Sequence, residues 1–162
     1  MNIRKPTDYS TMFAALDAAV AAQLPQMELY CEIGRVVSGR VEKGAAVAAS
    51  ERLQAAYPTA EGFSPRNVRR MRDFYRMYGD TPELLVEAMR LNWTQNEVIM
   101  ETELTMDERC WYIRKAAESG LSKTELLRGF LYADLIRQLQ CFFLEFFAVT
   151  FHCEPLRLCF SV

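Results

Sequence analysis

Residues 62–78 read GFSPRNVRRMRDFYRMY. Ser64 followed by Pro65 is a helix start: the hydroxyl caps a free amide, and proline sits at the first helical position, where no amide is needed. At about 100° per residue, Val68, Met71, Phe74, Tyr75 and Tyr78 fall on one side, and Arg66, Arg69, Arg70, Arg72 and Arg76 spread over the opposite half. The spacing predicts an amphipathic helix over 64–78, with Gly79 just past its end. Five arginines face one acid, Asp73, so the stretch carries +4 and leaves −6 to the rest of a chain whose net charge is −2.

Outward from this segment the chain punctuates itself into further helices. On the N-terminal side, Thr7 and Asp8 precede Tyr9, Met12, Phe13, Leu16 and Val20 at three- and four-residue spacing. Pro25 separates them from a helix over about 26–38, whose apolar face is Leu29, Tyr30, Ile33, Val36 and Val37, with Gly39 as its stop. An alanine-rich helix over 45–57 closes at Pro58. On the C-terminal side, Thr81-Pro82 repeats the start signal for a short helix to about Arg90. Thr94-Gln95-Asn96-Glu97, Thr105-Met106-Asp107-Glu108 and Ser122-Lys123-Thr124-Glu125 each fit a capping box, predicting helices near 95–103, 107–119 and from 123 onward, with Gly120 between the last two. No segment before residue 140 alternates as a strand does.

The whole is an all-α expectation: a compact multi-helix domain containing a helix-turn-helix-like unit. The 162 residues, 51% hydrophobic and 25% charged, fit one globular domain, and the scarcity of glycine (7) and proline (6) disfavours a many-turned β fold. The domain is expected over 1–130, followed by a tail over 131–162 of different character. That tail holds seven of the nineteen aromatic residues and Cys141, Cys153 and Cys159. Leu135, Leu139, Phe142, Phe143, Phe146 and Phe147 fit a wide helical stripe, read as a core or docking helix, a partner or self-association surface, or a membrane contact.

A net charge near zero and a pI of about 5.5 exclude a uniformly basic nucleic-acid protein, though not a basic face. No apolar stretch reaches the roughly 18 residues of a membrane span, and no secretory segment opens the chain, so no membrane association is expected and the location is taken as cytoplasmic. Five cysteines without a CxxC read as reduced thiols, and the lone histidine, His152, completes no metal pattern. No metal or cofactor is expected. Neither a phosphate loop nor a GxSxG or HExxH motif is present. Glu32 and Arg35 read as an ion pair three residues apart, and Trp93 and Trp111 as core packing.

Arginine's planar fork donates two parallel hydrogen bonds, matching phosphate and the edge of guanine. In a groove-reading helix, Arg66, Asn67, Arg69 and Arg70 would reach bases or the nearest phosphates, while Arg72 and Arg76 would lie further along on backbone. The competing reading is a solvated or ion-paired face, for which Glu97, Glu101, Glu103, Asp107 and Glu108 supply the acids. The connection from Tyr57 to Phe63 exceeds the usual helix-turn-helix turn of about 3–4 residues.

Several motifs occur in order: Tyr30-Cys31-Glu32-Ile33-Gly34-Arg35, the 62–78 stretch, Leu91-Asn92-Trp93-Thr94, then Asp107-Glu108-Arg109 and WYIRKAAESGLSKTEL at 111–126. Over about 26–129 the chain resembles the N-terminal helical domain of YhcG-like bacterial nucleases, in which a PD-(D/E)XK nuclease domain follows. The resemblance implies a DNA-binding helical module. It departs from the pattern at Lys43-Gly44, where relatives carry Trp-Gly, and no Asp and Glu-x-Lys metal site follows Gly129. Nuclease activity is therefore not implied. The expectation is a non-catalytic, phosphate-dominated DNA contact. The alternative is a protein-interaction adaptor, or an inhibitor from a mobile element, that uses the arginine face or self-associates through 131–162.

Overall fold

The computed structural model describes residues 7–136. The order is α1 (Ser10–Ala21), α2 (Gln26–Ser38), α3 (Ala45–Ala56), α4 (Pro65–Tyr78), α5 (Pro82–Met89), α6 (Trp93–Glu101) and α7 (Met106–Ser119), then a helical stretch over 123–136, α8. Among the described residues there is no strand, and the all-α expectation holds. The stripe continuing through Leu139 to Phe147, Cys141, His152, Cys153 and Cys159 lie outside the described residues.

The starts of α4, α7 and α8 follow the local chemistry, whereas Thr81 precedes Pro82 at α5 without a side-chain cap bond. Ser64 accepts from the Asn67 amide at 3.3 Å with Pro65 at the first position. Thr105 and Glu108 form a reciprocal capping box, and Ser122 and Glu125 do the same. At α6 the expected box at Thr94 is replaced by one two residues earlier: Asn92 accepts from the Gln95 amide at 2.9 Å and Gln95 returns to the Asn92 amide at 2.7 Å. The shift makes Trp93 the first helical residue and directs its ring into the core. At the other end, α7 closes at Gly120, which is left-handed at φ 62°.

The most extensive helix contact is between α2 and α4, which run parallel. Tyr30 meets the N-terminal end of α4, Gly34 its middle, and Ser38 its C-terminal end at Arg76. A Cβ on Gly34 would run into the Met71 carbonyl, so only glycine lets the two backbones approach this closely. Around this crossing, Leu16, Ile33, Val37, Leu53, Val68, Met71, Phe74 and Tyr78 are fully buried. The Tyr78 hydroxyl is enclosed too, and burial pushes its pKa up to about 12. On the far side, α5 and α6 pack against α7, where Ile99, Ile113 and Leu126 extend the same core.

Buried polar groups tie the helix ends together. Arg109, buried on α7, donates to the carbonyls of Ile99, Thr102 and Leu104, placing a cation at the C-terminal end of the α6 dipole. Asn96 donates to Ala88 and Asn92 carbonyls, joining the end of α5 to the start of α6. The connection 57–64 is held by Ser50 and Gln54, which both donate to the Phe63 carbonyl. Trp111 departs from the core-packing expectation: it is 56% exposed. Ile113 and Ala116 set the inward face of α7, and a residue two positions from Ile113 points roughly 200° away.

Gly34→Ala should lower the unfolding free energy by about 1–3 kcal/mol, the usual cost of forcing volume into a packed contact. The measurement is urea unfolding, with a lower midpoint at an unchanged slope. A midpoint equal to the wild type would mean the two helices separate without penalty.

Candidate nucleic-acid interface

Because Val68, Met71, Phe74 and Tyr78 are drawn inward, α4 turns its arginine half away from the core. The five guanidinium groups nevertheless end in different circumstances. Arg70 lies between Glu97, at 2.8 Å, and Glu101, with only 21% of its side chain exposed. Arg72 folds onto its neighbour Asp73 through two hydrogen bonds of 2.9 and 2.8 Å. Arg66 is 76% exposed and only loosely paired, 3.6 Å from Glu101. Arg76 is exposed and touches the Ser38 and Arg40 carbonyls at 3.4 Å. Arg69 is exposed and makes no ion pair among the described residues.

Asn67 is half-buried and engaged within the fold. Its amide donates to the Gly62 carbonyl at 2.6 Å, and its oxygen accepts from the Trp93 indole at 2.8 Å. Gly62 sits at φ +91°, and a Cβ there would strike the Tyr30 hydroxyl. Thus Tyr30, Gly62, Asn67 and Trp93 form one junction between α2, the 57–64 connection, α4 and α6. Beside it opens a cleft of about 410 Å³, lined in part by Gln26, Tyr30, Arg66, Arg70 and Glu97.

The ion pairs anticipated from the acid-rich stretch therefore form in part, through Glu97 and Glu101, closely on Arg70 and loosely on Arg66. The Arg70 guanidinium holds the Glu101 carboxyl below its ordinary value. Glu32 and Arg35 also pair as their spacing indicates, through two hydrogen bonds of 2.7 and 2.5 Å. The Asn67–Trp93 link escaped the sequence reading. Its trace is that both residues fall in recurrent motifs 26 positions apart, a pairing that periodicity within one helix cannot reveal.

The family model for the DUF1016 N-terminal domain matches residues 13–133. The chain belongs to this family, the N-terminal region of YhcG-like proteins. No curated protein and no solved structure matches it. The ordered motifs that carry the likeness now have structural duties: Gly34 permits the helix crossing, Gly62 and Asn67 shape the entry to α4, Asn92 and Trp93 open α6, and Glu108 and Arg109 fix α7 to the end of α6. Among the described residues, no group of acidic, histidine or cysteine side chains is arranged to hold a metal ion, and no helix is long and apolar enough to cross a membrane. Cys31 and Cys110 are half-buried free thiols; burial pushes the Cys31 thiol up, away from reactivity at neutral pH.

Glu101 supplies a pH test. Its folded pKa lies below the ordinary value of 4.5, so its contribution is complete above that value and is lost as the pH falls through the depressed one. Glu101→Gln should leave a smaller loss of stability between about pH 5 and pH 3 than the wild type shows, with a neutral-pH penalty below about 1 kcal/mol because the carboxylate is half exposed. Thermal melts across that range check it; parallel curves would remove Glu101 as a contributor.

Proposed function

We propose that this domain is a non-catalytic DNA-contacting module that meets the duplex through the outward stripe of α4. The observation that carries the reading is the exposure of Arg66, Arg69 and Arg76 along one side of a rigidly packed helix. Their spacing of three and seven residues keeps them within about 80° of one another and spans about 15 Å of helix axis. Asp73 lies in the same stripe, but its carboxylate is engaged by Arg72. Three cations therefore face solvent on a surface whose orientation is fixed by the α2–α4 contact.

Contacts of this kind go first to phosphate oxygens, which position a protein on DNA without reading its sequence. Arg70 and Asn67, tied to α6, support the helix and are not assigned to bases. The family resemblance points the same way, since the corresponding domain in YhcG-like proteins precedes a nuclease. In this reading the module supplies the DNA attachment and leaves chemistry to another domain or chain.

Replacing Arg66, Arg69 and Arg76 together by alanine should weaken duplex binding and reduce the slope of log affinity against log salt by roughly 2–3. Arg70→Ala should leave that slope unchanged, because Arg70 is held by Glu97 and Glu101, while costing about 1–2 kcal/mol of stability, between the values for exposed and buried pairs. Fluorescence anisotropy at several salt concentrations, with urea unfolding alongside, separates the two effects. An unchanged slope in the triple variant would remove α4 as the contact.

A second reading, an interaction adaptor, draws on α8. Leu131, Tyr132, Leu135 and Ile136 are exposed there, next to a groove of about 500 Å³ bordered by Leu104, Leu127 and Phe130. If this face is the working surface, Leu131→Glu with Leu135→Glu should lower the mass seen by sedimentation or abolish a co-purifying partner, with DNA retention unaltered. No change in either would set the adaptor reading aside.

A further inference from the structure

We infer that the loop between α2 and α3, residues 39–44, is a second point of contact with duplex DNA, in which Lys43 binds a phosphate and Val41 packs against the groove wall. The inference rests on the DNA-contact reading of α4 and adds an element to it that the arginine count alone does not contain.

The loop adjoins the C-terminal end of the exposed stripe. The Arg76 guanidinium reaches back to the Ser38 and Arg40 carbonyls, each at 3.4 Å, so helix and loop present one continuous surface. The loop is also braced from behind. Arg40 donates to Glu42 at 2.6 and 3.1 Å and to the Asp8 carbonyl at 2.9 Å, and its guanidinium stacks 5.2 Å from the centre of the Tyr9 ring. These contacts consume both the charge of Arg40 and the acid of Glu42. What remains outward is Val41, 95% exposed, and Lys43, exposed and without an ion pair among the described residues.

This division of labour distinguishes the loop from an ordinary surface turn. An apolar side chain held at the tip of a braced loop loses little conformational freedom when it is covered. Beside it stands one uncompensated cation, and beyond it the Arg76 end of the stripe. An apolar tip flanked by cations suits a nucleic-acid groove, where phosphates border sugar and base edges that accept apolar contact. With the loop included, the footprint exceeds the roughly 15 Å span of Arg66 to Arg76, approaching half of one duplex turn of about 34 Å. Glu42 does not oppose this, because its carboxylate is turned onto Arg40.

The test uses the full chain and a mixed-sequence duplex. Lys43→Ala should weaken binding roughly 5–10-fold near 0.1 M salt and lower the salt slope by about one unit, the signature of a single lost phosphate contact. Photo-crosslinking gives a readout that general electrostatics does not move: p-benzoylphenylalanine at position 41 should form a covalent adduct with the duplex, and the same group at position 131 on α8 should not. If the wild type binds while the position-41 probe gives no adduct, or gives no more than position 131, the loop contact is overturned and the α4 reading survives. If the wild type retains no duplex at any salt concentration, both fall. Thermal melts of each variant confirm that the fold is intact when binding is read.

Discussion

The close approach of α2 and α4 at Gly34 is the constraint on which the remainder depends. Two parallel helices come together because one residue lacks the atom that would strike the Met71 carbonyl. That contact fixes which side of α4 faces the core and hence which side faces solvent. The surrounding large side chains, Ile33, Val37, Met71 and Phe74, fill the space on either flank and make rotation of α4 costly. The charged surface is thus a consequence of a steric allowance on its opposite side.

A second layer of control comes from short polar connections rather than from more apolar burial. The Asn67 amide spans from the Gly62 carbonyl to the Trp93 indole, coupling the turn into α4 to the first residue of α6. Arg70 extends the coupling one turn further through Glu97 and Glu101. Arg109 performs a similar office at the other end of α6. These groups lie inside or between helices, and they specify how the helices meet.

The helices themselves were largely legible. Ser64-Pro65, Thr105 with Glu108 and Ser122 with Glu125 act within a single turn, where sequence distance and spatial distance coincide. The periodic apolar face of α4 likewise required nothing from the rest of the chain. Legibility failed where competing local signals were close in strength: Asn92 with Gln95 prevailed over Thr94 with Glu97, because the earlier start lets Trp93 enter the core. It failed again at Trp111, whose size suggested burial although its position opposes Ile113 on the same helix.

What the sequence by itself determined is the set of helices, the caps of α4, α7 and α8 and the segregation of charge onto one half of α4, since all of these arise from neighbours a few residues apart. Only the tertiary structure decided which arginines remain available. Arg70 is satisfied by acids 27 and 31 residues away, whereas Arg69, one position earlier, points past them into solvent. The physical reason is that an ion pair forms within about 4 Å, a distance set by how α4 and α6 are packed and invisible to any pattern read along one helix.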